Sequence, residues 1–279
     1  MIPQGYMDRR KEGDTVLRQC QLVQLHLLHV FDRVCKENGL RYLLEGGTLL
    51  GAMRHGGFIP WDDDLDVGMP LEDYKRFLRI ADKVLPADAY LDNPAATKHI
   101  AIPFAKIRDR NSFFFEPSGS MLTSDPSGIY IDIFPYEKMP DMPYALQKLL
   151  VKVCGSTWMR SRYCYNKAKG FLPGIFYSCA GGVCSFVHAV ARVLIWPLKK
   201  LLPSTYTYLL FERGDTFRYR TAALFPSDNH VFEDGEFHVP NDADEILTSQ
   251  YGNWREIPPP DKRPSHARIV DPFRAAVDA

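Results

Sequence analysis

The chain predicts an α+β fold, a small mixed sheet flanked by helices, interrupted by a helical insertion that is both basic and apolar. Three observations carry this prediction. Apolar residues at helical spacing alternate with short strand-like runs through the first half of the sequence. A pair of glycines, Gly46-Gly47, precedes four aspartates crowded into five positions, Asp62, Asp63, Asp64 and Asp66. Beyond Pro140 and Pro143 the texture becomes helical, aromatic and cationic. With 279 residues and 46% hydrophobic content the chain can bury a full core, as one large domain or a domain plus insertion.

Val16, Cys20, Val23, Leu27, Val30, Phe31 and Val34 follow 3–4 residue spacing and predict an amphipathic helix. Asp14 is its expected N-cap, and Asn38-Gly39 its stop. Arg41–Glu45 reads as a strand entering a Gly46-Gly47 turn, and Thr48–Arg54 as a short apolar helix. Leu65–Met69 is a second strand, and Leu71–Leu85 a second amphipathic helix ending at Pro86. Ile102–Arg108, Phe113–Glu116 and Ile129–Phe134 are further strands. Tyr144–Lys169 is helical. Phe171–Ala191 holds 21 residues without a formal charge, then Arg192 and Val193–Leu198. That length suits a membrane span, but Pro173, Gly174, Gly181, Gly182, serines and His188 favour a buried hairpin or an interfacial helix. An acidic helix, Asp242–Tyr251, leads into the C-terminal Pro-Pro-Pro-Asp-Lys-Arg-Pro-Ser-His.

The formal net charge is zero, so no global field favours nucleic acid. The distribution is uneven. Lys148–Arg220 carries twelve Lys and Arg against two acids, leaving 22 basic and 32 acidic residues elsewhere. A basic surface meeting anionic lipid or a phosphorylated glycan, or a basic lobe docked on an acidic one, would account for this. The six cysteines form no C-x-x-C pair. Cys20 and Cys35 read as buried thiols. Cys164, Cys179, Cys184 and His188 fit no common zinc module, so structural zinc is not expected. The N-terminus lacks an apolar signal region, which predicts a cytoplasmic chain, peripheral on the inner membrane face if the insertion is interfacial.

Four crowded carboxylates repel one another and need a cation or basic partners. Asp64 and Asp66 share a face at strand period and are the expected metal pair, with Asp62 in the same parity. The alternative is a solvated acidic turn. Asp132, in Gly-Ile-Tyr-Ile-Asp-Ile-Phe-Pro, is the expected third carboxylate, unless an arginine or backbone donors satisfy it. Arg54 and His55 are candidates for phosphate contact or for structural ties. Lys106, on an alternating strand, is a candidate for charge on the reacting group. Lys262, Arg263 and His266 form either a phosphate-binding arm or a solvated tail.

The run Gly47-Thr-Leu-Leu-Gly-Ala-Met-Arg-His followed by Gly-Phe-Ile-Pro-Trp-Asp-Asp-Asp-Leu-Asp-Val-Gly-Met closely resembles the LicD family of phosphocholine transferases, related to fukutin and the fukutin-related protein. The resemblance extends to Pro-Phe-Ala-Lys-Ile-Arg-Asp, Tyr-Ile-Asp-Ile-Phe-Pro and Tyr-Gly-Asn-Trp, and lapses between about residues 150 and 225. It implies a nucleotidyltransferase-like core over 1–140, a helical insertion over 141–225 and a C-terminal segment, 226–279, completing the site. It also implies Mg2+ (or Mn2+) on Asp64, Asp66 and Asp132, with Gly46, Gly47 and Thr48 in the phosphate-contacting turn. The implied reaction moves phosphocholine or a related alcohol-phosphate from CDP-choline or another CDP-alcohol to a glycan hydroxyl, releasing CMP. The acceptor would be a cell-surface glycan such as lipopolysaccharide or teichoic acid, free or lipid-linked. Two rivals stand beside it: transfer of NMP from an NTP to a small hydroxylated substrate, and a non-catalytic membrane-surface scaffold.

Overall fold

The computed structural model describes residues 8–93, 102–115, 128–168, 170–209, 217–263 and 269–274. The expected first helix is α1, Val16–Asn38. Its N-cap is Thr15 rather than Asp14: the Thr15 hydroxyl accepts from the Arg18 amide at 3.1 Å. Thr15 has the extended backbone (φ −129°) from which a side chain reaches back to the third helical amide. Gly39 closes the helix at φ +59°, in the left-handed region where a side chain is disfavoured.

A central sheet lies against α1. It is ordered β1 (Leu43–Leu44), β2 (Asp66–Pro70), β6 (Tyr130–Met139), β4 (Ala105–Asp109), β3 (Ala89–Asp92). β2 and β6 run parallel, and every other pairing is antiparallel, so the sheet is mixed as expected. Between the first two strands lies α2, Gly46–His55, and after the second lies α3, Leu71–Val84. The expected glycine turn is thus the first turn of α2, with Glu45 in the N-cap position. Leu43, Leu44, Val67, Met69, Ile107, Ile131 and Ile133 from the strands bury against Leu27, Leu28 and Phe31 of α1. Each such side chain contributes about 1.5–3 kcal/mol on burial.

β6 runs past the expected end at Phe134. Its second half pairs with β7 (Tyr206–Leu209), which pairs in turn with β8 (Arg218–Arg220). Both strands lie within the 141–225 stretch, so that stretch is helical only in part. Its helical portion is a hairpin of α4 (Tyr144–Lys167) and α5 (Phe171–Leu201). The two helices are antiparallel. Gly181 lies against Ser161 and Cys164, and His188 Nδ1 is 3.1 Å from the Cys154 carbonyl oxygen. α5 is long and apolar enough to cross a membrane by length and composition. It is not a buried core helix: only Gly181, Ala191 and Ile195 are buried. Its base is fixed to the sheet by Glu137 of β6, whose carboxylate accepts from Arg192 at 2.6 Å and from Lys199. The C-terminal part supplies α6 (Thr221–Leu224), the hairpin β9 (Asp228–Phe232)–β10 (Gly235–Val239), and α7 (Ala243–Tyr251) capped by Asp242. Short β5 (Phe113–Phe115) pairs with β11 (Ile269–Asp271).

Candidate active site

The register of the sheet assembles the acidic centre. Across the parallel β2–β6 pair, Asp66 stands opposite Asp132. Across the antiparallel β4–β6 pair, Lys106 stands opposite Asp132 from the other side. The Lys106 ammonium lies 2.5 Å from Asp132 Oδ1 and 3.5 Å from the centroid of the Tyr130 ring. Lys106, expected to meet a reacting phosphate, is therefore spent on Asp132, and both side chains are buried.

The approach to β2 is held by α1. Gln21 Nε2 donates to the Asp62 carbonyl at 2.9 Å, and Gln24 Nε2 to the Asp63 carbonyl at 2.7 Å. With backbone carbonyls turned toward α1, the side chains crowd together. Asp62, Asp63 and Asp64 each offer an oxygen within 4.8 Å of the others. Strand alternation would have put Asp63 on the opposite face, but residues 62–65 precede the strand and do not alternate.

Electrostatics record the crowding. Burial, then the negative charges of Asp132, Asp64 and Asp62, push the Asp66 carboxyl well above the usual range against the pull of Lys106. Asp62 is pushed up to about 8 by burial and by its hydrogen bond and charge contact with Asp64. Burial raises Asp132 as well, with Lys106 opposing. Crowded, half-buried carboxylates of this kind offer the oxygen donors that suit a hard divalent cation.

A cavity of about 470 Å³ opens over this cluster, within the usual range for small-molecule sites. Asp62, Asp64, Asp66 and Gly47 line it together with Trp61, Tyr251 and Trp254, and neither Asp132 nor Lys106 is among its lining residues. Gly46 has φ +53°, and a Cβ there would sit 2.9 Å from Asp66 Oδ2. A Cβ on Gly47 would sit 2.5 Å from Asp62 Oδ2. The glycines thus give the carboxylates room beside the N-terminus of α2, an end whose amides favour anions. Thr48, expected at the phosphate, instead ties helix to strand: its Oγ1 accepts from the Asp66 amide at 2.8 Å.

Arg54 lines the cavity while its Nη1 donates to the Trp254 carbonyl at 2.8 Å and the Glu256 carbonyl at 3.2 Å, so it fastens the C-terminal wall. His55 meets Trp61 edge-on at 6.2 Å, and burial followed by the Arg54 charge holds its imidazole below the usual range. Arg263 stacks 4.0 Å over the Trp61 ring and donates to the Pro258 carbonyl. Lys262 sits in the short turn Pro260–Lys262. His266 lies outside the described residues.

Two contributors escaped sequence reasoning. Glu45 is 1% exposed and receives hydrogen bonds from Tyr136 of β6, Tyr219 of β8 and Gln250 of α7, while its own amide donates to the Asp66 carbonyl at 3.0 Å. Burial holds its carboxyl above the usual range against those three donors. Next to Gln250, Tyr251 reaches the cavity with its hydroxyl near Gly46. Burial and the charges of Asp66, Glu45, Asp62 and Asp64 raise its phenol. The signals were a carboxylate abutting the glycine pair and the Tyr-Gly-Asn-Trp run, both visible in the sequence.

Comparison with known proteins places the sequence among relatives. Residues 39–162 match the family described as LicD/FKTN/FKRP, nucleotidyltransferase domain. The chain is 30% identical over 276 residues to the lipopolysaccharide cholinephosphotransferase LicD of Haemophilus influenzae, covering 90% of this chain and 96% of that protein. It is 62% identical over 40 residues to the ribitol 5-phosphate transferase FKRP of Mus musculus and of Homo sapiens, 14% of this chain and 8% of each of those.

Proposed function

The chain belongs to the LicD family, and from that premise we propose that it transfers an alcohol-phosphate, phosphocholine or a close relative such as ribitol phosphate, from a CDP-linked donor to a glycan hydroxyl. The names of the relatives support the class of group transferred: one is a cholinephosphotransferase of lipopolysaccharide, others are ribitol 5-phosphate transferases. The observation that carries the reading is the convergence of Asp62, Asp64 and Asp66 on a cavity floored by Gly47.

The donor set fits a divalent cation such as Mg2+, because hard carboxylate oxygens crowd beside two glycines that leave space for them. Asp64 and Asp66 would hold it, with Asp62 adjoining and Asp132 as third carboxylate beside Asp66. When bound, the ion supplies charge neutralisation for the diphosphate and for the departing CMP oxygen. The amides at the start of α2 receive phosphate oxygens. Arg54 and Arg263 stand at the cavity wall and rim as positive charges. The acceptor oxygen forms its bond to the phosphorus bearing the alcohol as the bond to CMP breaks. The hydroxyl proton passes to a carboxylate facing the cavity; with Asp132 held by Lys106 and Asp64 given to the ion, that role falls to Asp62. We place the protein in the cytoplasm, with free or lipid-carried glycan as acceptor.

The test is incubation of the purified protein with a panel of CDP-alcohols and Mg2+, following CMP. Release from one donor, abolished in Asp64→Ala and Asp66→Ala proteins that remain folded, is the expected result. Pyrophosphate release from an NTP would instead identify a nucleotidyltransferase. Absence of any cytidine-nucleotide or Mg2+ binding by calorimetry would leave a scaffold.

A further inference from the structure

The α4–α5 hairpin has an outer face that the donor cavity does not use. From the geometry we infer that it is a membrane-docking element that lies flat on an anionic phospholipid surface. α5 spans 31 residues, about 46 Å at 1.5 Å per residue. One side of it is exposed along the whole length: Phe171 is 82% exposed, Phe186 70% and Leu201 78%, with Phe176, Val183 and Val193 between them. Those positions fall in one sector of the helix, and the charged residue in that sector is Lys200, at its C-terminal end. Exposed apolar area this continuous marks an interaction surface.

Charge selects the occupant. Residues 144–201 carry nine Lys and Arg and no Asp or Glu. A second copy docking on this face would bring two such hairpins together. An anionic leaflet instead complements them. Lys167 ends α4, its ammonium 5.8 Å from the Tyr163 ring centroid, and Lys200 stands near the other end, its ammonium 4.1 Å from the Trp196 ring centroid. Aromatic rings and long cations at the ends of an apolar stripe are an interfacial arrangement. The hairpin lies on the surface rather than across it. α4 is packed along α5 and carries Lys148, Lys152, Arg160, Arg162 and Lys167 at intervals over its length. The inner side of α5 is tied to the sheet through Arg192 and Lys199 on Glu137. Drawing α5 through a bilayer would take α4's charges with it or tear α5 from Glu137.

The experiment is co-sedimentation of the full chain with vesicles of phosphatidylcholine alone and of equal parts phosphatidylcholine and phosphatidylglycerol. Binding is expected only to the anionic vesicles and is reversed by high salt. Lys167→Ala and Lys200→Ala should each weaken binding about fivefold. Phe176→Glu with Phe186→Glu should abolish it, while Phe186→Leu retains it. These side chains are exposed, and unchanged circular dichroism verifies the fold. Equal binding to both vesicle types, retention through salt and alkaline carbonate, or a dimer by light scattering that Phe186→Glu dissociates without any vesicle binding would each overturn the proposal.

Discussion

Replacing Lys106 by methionine isolates the electrostatics of the site. The substitution keeps most of the side-chain volume and removes the ammonium that lies 2.5 Å from Asp132. Asp132 is then left buried, opposite Asp66 in register, with no cation beside that oxygen. Breaking a buried ion pair from one side costs about 3–5 kcal/mol. Asp132 can escape part of that by taking up a proton, which its raised carboxyl already favours, so the lower end is expected. At about 2–4 °C per kcal/mol, the melting temperature should fall by about 6–12 °C. The assay is thermal and urea unfolding, both followed by far-ultraviolet circular dichroism, on the single variant, on Asp132→Asn and on the double variant. Adding Asp132→Asn to Lys106→Met removes the stranded charge and should recover most of the loss, a coupling of about 2 kcal/mol. A single variant within about 1 kcal/mol of the parent, or independent effects in the pair, would refute the assignment of Lys106 to Asp132.

Other expectations follow from the same wall. Gly47→Ala places a methyl 2.5 Å from Asp62 Oδ2, so CMP release should collapse while urea stability changes little, because Asp62 can swing toward the open cavity. Mg2+ at a hundredfold excess over its dissociation constant should stabilise the parent by about 2.7 kcal/mol, and thermal scans of Asp66→Asn should show no such rise. Thiol alkylation at mildly alkaline pH should label exposed Cys179 in the native chain. It should spare Cys20, whose burial pushes its thiol up to about 12, and buried Cys35 and Cys154, as peptide mass spectrometry would report. Labelling of Cys20 at a rate near that of Cys179 would contradict the packing of α1.

Much of the framework was legible because periodicity and local chemistry agree there. α1, α2, α3 and the two strands at the acidic centre carry apolar spacing and stop signals that need no distant partner. β3, β7 and β8 were not legible. They are three- or four-residue strands, too short for alternation to declare them, and β6 runs past Pro135 because β7 pairs with its second half. The partners of Lys106 and Thr48 were not legible either: cross-strand register sets Lys106 opposite Asp132, and the packing of α2 brings the Thr48 hydroxyl to the Asp66 amide. Asp62, Asp64 and Asp66 stood out by their crowding and their shared strand parity at the entry to an apolar run.

The anchoring of Glu45 has a consequence for biosynthesis. Its three donors come from residues 136, 219 and 250, and the facing aromatic wall from residues 251 and 254. A nascent polypeptide that has displayed its aspartates therefore possesses no working crevice until residues 250–254 have been added. Termination between Asp132 and Gln250 would yield a protein with every acidic ligand and no enclosure around them.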